Sequence, residues 1–186
     1  RTRNTYELPD TFVSLSRNLD AELYVRSVHA YDAYLSGRAD IRYDFKRNRV
    51  VFLVKDGNKV VDAVGRSIDG RSPKWYRYGN SKCPFVSGNG ERGACVVEDA
   101  ASACSVSGII AGVALLGTNL LDEHIDYLTK YPRVFVALDK DATDKAVDMV
   151  KTLCKVVPTK LMVLPRDLKN MTKDERDDFL RNRIDR

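Results

Sequence analysis

Histidine and closely spaced cysteine are what this sequence most lacks. It holds two histidines, His29 and His124, and four cysteines, Cys83, Cys95, Cys104 and Cys154. No two cysteines have the C-x₂-C spacing of a zinc site, so a zinc cage built within this chain is not expected. The four thiols read instead as small buried hydrophobes or exposed free thiols in a reducing setting. Long apolar runs are also missing: the longest, Gly108 to Leu116, is about half of the roughly 18 residues that span a bilayer, and it reads as a buried strand with its flanks. No secretory leader pattern is present. The chain opens on Arg1, so it reads as a piece of a longer protein. Its expected place is the cytoplasm, that of a host cell if a phage encodes it, with no membrane partner.

What the sequence has is a packed-core composition and an uneven charge. Hydrophobic residues make up 44% and charged residues 31%, which fits a globular core rather than disorder. Net charge is +5. Residues 1–92 carry 17 Lys and Arg against 11 Asp and Glu, whereas residues 93–186 carry 14 against 15. Arg42 to Lys82 alone holds 11 basic and 4 acidic residues. A basic half joined to a half with clustered carboxylates suits a polyanionic ligand and a metal site, although a solvated basic surface has the same composition.

The two halves also differ in pattern. Leu19 to Leu35 has helical apolar spacing, ended by Ser36-Gly37. Arg49 to Val54 and Lys59 to Gly65 flank the turn Asp56-Gly57-Asn58 and read as a hairpin. Lys74 to Tyr78 is strand-like and aromatic, and Pro84 to Gly93 reads as a glycine-rich connecting loop. From Ala94 onward, short apolar runs (94–97, 109–115, 134–138, 160–164) alternate with helical segments (99–106, 122–129, 144–155). That alternation predicts βα units and a mostly parallel sheet. Met171 to Ile184 is a charged helix packed through Phe179, Leu180 and Ile184. Three segments follow: a basic α+β subdomain at 1–92, an α/β domain at 93–165 and a helical tail at 166–186.

In an open parallel sheet, ligands sit beyond the carboxyl ends of the strands. Glu98 follows the first of these strands, Gly117-Thr118-Asn119 the second, and Asp139 and Asp141 the third. If the first and third strands are neighbours, three carboxylates meet at one edge. Close carboxylates repel unless a cation compensates them, and magnesium favours such oxygen ligands. In extended backbone, residues two apart point the same way, so Asp139 and Asp141 are expected to face one metal. Alone, Asp-x-Asp is an ordinary turn and cap pattern; the preceding glutamate, in the right order, makes the combination more specific.

Ala94-Cys95-Val96-Val97-Glu98, Ala114-Leu115-Leu116-Gly117-Thr118 and Val136-Ala137-Leu138-Asp139-Lys140-Asp141-Ala142-Thr143 resemble the successive motifs of the Toprim domain, which is found in DnaG-type and bacteriophage primases, topoisomerases, RecR-type proteins and some nucleases. The resemblance implies a Toprim-like, mostly parallel α/β sheet flanked by helices. It also implies magnesium, with manganese as a substitute, on Glu98, Asp139 and Asp141. Two positions depart from the family: Asp99 stands where glycine is usual, and Ser102 where primases carry an acid. Only Asp167 lies near a late acidic cluster common in primases. The preceding segment, with Arg49-Val50-Val51-Phe52, Val64-Gly65-Arg66 and Pro73-Lys74-Trp75-Tyr76, resembles the subdomain in which primases hold template and nucleotide. That likeness implies ligand contacts at Arg49, Arg66, Lys74 and Trp75, with Tyr76 and Tyr78 as further stacking rings, and at the motif residues Gly117, Thr118 and Lys140.

The implied function is a primase core that makes short RNA primers from ribonucleoside triphosphates on single-stranded DNA. A zinc-binding module or a replicative helicase would lie outside this chain. The alternatives are a Toprim nuclease or topoisomerase-like cleaving module, and a catalytically silent nucleic-acid-binding module of a replisome.

Overall fold

A computed structural model describes residues 5–117 and 119–186. The first half builds an antiparallel sheet from β1 (Phe12–Ser14), β2 (Ile41–Asp44), β3 (Arg49–Asp56), β4 (Lys59–Ser67) and β5 (Trp75–Arg77), paired in chain order. The expected hairpin is β3–β4, with Phe52 opposite Val64 and a register shift at Val54/Lys55. β3 is buried on both faces because its β-branched and aromatic residues alternate between two cores. Val50, Phe52 and Val54 enter the main core, while Val51 and Leu53 meet Phe12 and Ala63 on the other side.

The helix expected over 19–35 is two helices, α1 (Leu19–Ser27) and α2 (Tyr31–Ser36). Asn18 caps α1 by accepting a bond from the Ala21 amide at 2.9 Å. His29 has φ of 63°, a left-handed conformation that ends α1 and turns the chain into α2.

The second sheet has the order β10-β9-β7-β8-β6, made of β6 (Phe85–Ser87), β7 (Ala94–Val97), β8 (Ala111–Ala114), β9 (Val134–Val136) and β10 (Thr159–Leu161). All pairs are parallel except β6–β8, so the mostly parallel α/β sheet expected from sequence is present. The segment 84–93, expected as a loop, contributes the antiparallel edge strand β6. The inner strands are buried on both faces. Cys95 and Val97 meet α3 (Ala100–Val106) and α6 (Lys173–Ile184) on one side. Ala94 and Val96 meet α4 (Asp122–Leu128) and α5 (Thr143–Leu153) on the other. One core joins both halves, with Phe52 from β3 edge-on to Phe85 from β6 at 5.9 Å.

α3 lies unusually near β8. A Cβ at Gly112 would stand 2.0 Å from the Ala103 carbonyl oxygen and 2.6 Å from Ala103 Cα, both of them backbone atoms that cannot swing aside. Gly112→Ala is therefore expected to push α3 off the sheet and cost about 1–3 kcal/mol, the usual penalty of overpacking. Urea unfolding measures this, and an unchanged midpoint would contradict the packing.

Candidate active site

Strand order decides which carboxylates meet. β7 pairs with β9, and β9 pairs with β10. The first residue after β7 is Glu98, which is exposed, and Asp139 follows β9, half-buried. Beyond β10, Asp167 opens a single 3₁₀ turn, Leu168–Asn170. These residues act on one another. The Asp139 carboxyl is pushed up to about 6 by burial first, then by the charges of Asp167, Glu98 and Asp99, with Lys169 pulling the other way. A carboxyl that stays protonated this far above its ordinary range marks a concentration of negative charge that a cation would relieve. Among the described residues, no three His, Cys, Asp or Glu side chains stand close enough to enclose an ion.

Asp141 departs from the geometric ground on which it was chosen. It lies in a 3₁₀ turn, Lys140–Ala142, not in extended backbone, and it is exposed, as is Lys140. At three residues per turn, a side chain two positions on is rotated away rather than returned to the same side. Asp141 is also not among the charges that raise Asp139. Asp167, which sequence reasoning left without a firm role, exerts the largest charge effect on Asp139. The available signal was its position as the first acid after the fourth strand.

The departures at Asp99 and Ser102 have a local explanation. Asp99 is the N-cap of α3, and its Oδ1 accepts a bond from the Ser102 amide at 2.9 Å. The cap fixes the strand-to-helix turn on which Glu98 stands.

Across from this edge, Tyr24, Arg66, Lys74 and Trp75 line a narrow cleft with Asp99, Ser102 and Lys169. The Arg66 guanidinium lies 5.5 Å from the centre of the Tyr24 ring and 6.0 Å from that of Trp75, and it donates to the Ser67 carbonyl at 2.9 Å. Trp75 is half-buried. It packs on Phe52 with ring centres 5.7 Å apart and also borders the cleft, so it lies between the core and that cleft. Lys74 is exposed and, among the described residues, has no ion-pair partner.

Arg49 does not face a ligand. It is 2% exposed, and its guanidinium donates to the carbonyls of Gly65 at 3.1 Å, Lys74 at 3.3 Å and Pro73 at 2.7 Å. It positions the segment that carries Lys74. A Cβ at Gly65 would meet Tyr78 at 2.8 Å and the Arg49 chain at 3.1 Å, so glycine is what lets both lie across the strand. The expected stacking role of Tyr78 also gives way to packing: its hydroxyl donates to Asp44 at 2.6 Å, and its ring meets Phe12 edge-on. Tyr76 sits beneath Arg47 at 4.4 Å and likewise is not part of the cleft.

Sequence reasoning missed Arg77. It donates Nε and Nη2 to the fully buried Asp62 at 2.9 and 2.7 Å, Nη2 also to the Ser81 carbonyl, and Nη1 to the Leu116 carbonyl at 2.9 Å. Leu116 has φ of 59°, a strained conformation for leucine, and it lies two residues into the loop after β8. Arg77 therefore ties the first half to that loop, next to the edge that holds Glu98. Gly117 is exposed there, with open space around it, and Thr118 lies outside the described residues.

No family model matches the chain, and no curated protein matches it in sequence. Solved structures do match in fold. The catalytic core of the E. coli primase superposes with a TM-score of 0.63 at 19% identity, over 94% of this chain and 65% of that one. A DNA primase domain from Pseudomonas aeruginosa gives 0.61 at 20% identity, over 94% and 63%. A DnaG primase catalytic domain bound to single-stranded DNA gives 0.62 at 20% identity, over 92% and 60%. The fold is thus a mixed α/β one with a mostly parallel sheet between helices. In particular, it is the fold of DnaG-type primase catalytic cores, of whose solved chains this chain spans about 60–65%.

Proposed function

We propose that this chain is the catalytic core of a DNA primase, joining ribonucleotides into short RNA primers on a single-stranded DNA template. The observation that carries this reading is an acidic edge, where Asp167, Glu98 and Asp99 act on Asp139, joined through Asp99 and Lys169 to the cleft that Arg66, Lys74 and Trp75 line. A polymerase holds a triphosphate, so it needs cations opposite its carboxylates; a nuclease needs only one backbone phosphate and a water. The match to a primase domain solved with single-stranded DNA supports the choice of template.

Carboxylates whose charges act on one another offer hard oxygen donors, which suit magnesium, or manganese in its place. Glu98 and Asp139 would hold it, with Asp167 beside them and Asp141 on the outer side. When bound, the metal would supply charge for triphosphate oxygens and lower the pKa of an attacking hydroxyl. The chain's own residues do the rest. Arg66 and Lys74 bind phosphates, Trp75 offers a ring edge or face to a base, and the Asp99 cap keeps Glu98 in place. By the resemblance, Gly117, Thr118 and Lys140 would complete the nucleotide contacts. A zinc-binding module and a helicase would be partners outside this chain.

Incubation with labelled ribonucleoside triphosphates, single-stranded DNA and magnesium or manganese tests the reading. Oligoribonucleotides are expected. Shortened DNA would favour a nuclease, and binding alone a silent module. Lys74→Ala is expected to raise the KM for nucleotide about tenfold, the worth of one charge-assisted phosphate contact, with a smaller effect on DNA affinity. Steady-state kinetics beside a DNA titration read both effects, and an unchanged nucleotide KM would remove Lys74 from the site.

A further inference from the structure

At the end of α3 remote from the acidic edge, a second cavity of about 490 Å³ opens between α1, α2, α3 and α6. Its floor includes Cys104 and Ser105 from the last turn of α3, whereas Asp99 caps the first turn beside Glu98. Five cations line it: Arg26, Arg38, Lys173, Arg176 and Arg181. Two carboxylates line it as well, and both are engaged. Asp32 pairs with Arg38 at 3.4 Å, and Asp177 with Lys173 at 2.7 Å. Among the described residues, Arg26, Arg176 and Arg181 have no carboxylate within ion-pair distance, although the neighbouring Asp177 charge acts on Arg176.

Arg176 is the most telling of the three. It is 5% exposed, and its Nε donates to the Ser105 carbonyl at 3.0 Å. Its Nη1 is buried with no hydrogen-bond partner. A buried guanidinium nitrogen without a partner carries a desolvation cost that only an acceptor removes. Nothing else in the cavity supplies one. Burial and the Arg176 charge both push the His29 imidazole below its usual range, so near neutral pH His29 is uncharged and adds no further cation. Arg26 lies over the Tyr31 ring at 3.7 Å, which fixes the guanidinium at the cavity wall.

We propose that this cavity is a second binding site, which takes the oxyanions of a phosphorylated ligand on Arg176, Arg26 and Arg181. Guanidinium forks match phosphate oxygens in pairs, and five cations against two carboxylates suit a di- or triphosphate better than a single phosphate. The volume falls in the range of small-molecule sites, about 300–1,000 Å³. The same chemistry is offered by a free polyphosphate, by a nucleotide and by the backbone of a nucleic-acid strand. The site stands on its own observations and does not depend on the primase reading.

Calorimetric titration of the whole chain with inorganic tripolyphosphate, in chelator so that no divalent metal contributes, tests this. Saturable binding is expected. The double variant Arg26→Gln/Arg181→Gln, with both changes at exposed positions, is expected to weaken it at least tenfold, as is Arg176→Met. Lys59→Ala, at an exposed position beside the β3–β4 turn that lines neither cavity, is expected to leave it unchanged. Displacement of tripolyphosphate by a single-stranded oligonucleotide would make a strand the source of the phosphates; failure to displace would make it a free anion, and either result keeps the site. Absence of binding, or binding retained at full strength in the double variant and in Arg176→Met, would overturn the proposal.

Discussion

Asp139→Asn is expected to lower primer synthesis at least about a hundredfold, the scale on which removing one preorganised electrostatic contact acts, and at the same time to make the protein more stable at neutral pH. The second effect follows from the raised carboxyl. The ordinary value of the group is 3.8, and in the folded chain it is pushed up to about 6. Below about pH 4 the carboxyl is protonated both folded and unfolded and contributes nothing. Between these values the folded chain keeps a proton that the unfolded chain has released, so stability falls as pH rises. Above about 6 the full cost is present. Asparagine removes that cost. Because Asp139 is only half-buried and solvent screens its neighbours, the gain is about 1 kcal/mol at pH 7.5, and it vanishes near pH 4. Thermal unfolding at the two pH values reads it. Magnesium should raise the melting temperature of the parent chain at pH 7.5 and leave the variant unmoved, since only a state that binds the ion is stabilised by it. A variant no more stable than its parent at either pH would contradict the crowding of charge at this edge.

Arg77→Met is expected to cost about 3–5 kcal/mol, the penalty for removing one partner of a buried ion pair. Asp62 is 0% exposed and keeps only the amides of Ala63, Gly79 and Ser81 once the guanidinium is gone. Against a total stability of about 5–15 kcal/mol, the loss brings the chain near unfolding at physiological temperature. The change also frees the Leu116 carbonyl, so the loop after β8 loses its tie to the first half. Asp62→Asn added to Arg77→Met should recover part of the loss, because the buried charge disappears. Denaturant titration of the three variants tests this, and a cost under about 1 kcal/mol for Arg77→Met would show that the pair is not structural.

The parallel half was legible because each buried strand is a short apolar run followed by a helical pattern, and Glu98 and Asp139 stand at strand ends where chemistry belongs. The adjacency of β7 and β9 was conditional in the sequence and is set by topology. What escaped had physical causes. The break at His29 is silent because Val28, Ala30 and Tyr31 continue the helical apolar spacing across it. β2 was missed because Arg42 and Asp44 interrupt its apolar pattern, while Asp44 is buried by accepting from Tyr78. β6 is three residues inside a glycine-rich stretch. Arg49 and Arg66 are indistinguishable by charge; only the three carbonyls around Arg49 separate a buried positioning residue from one that borders the cleft. Asp141 was placed by strand alternation, and its backbone turns into a 3₁₀ turn first.

The central claim is that the ends of β7 and β9 form a metal site serving a nucleotide in the facing cleft. The most direct measurement is an anomalous difference map from crystals of the whole chain grown with manganese and a ribonucleoside triphosphate. A manganese peak within coordination distance of Glu98 and Asp139, with triphosphate density reaching toward Arg66 and Lys74, is the predicted result. Manganese bound elsewhere, or a nucleotide ordered with no metal at this edge, would contradict it.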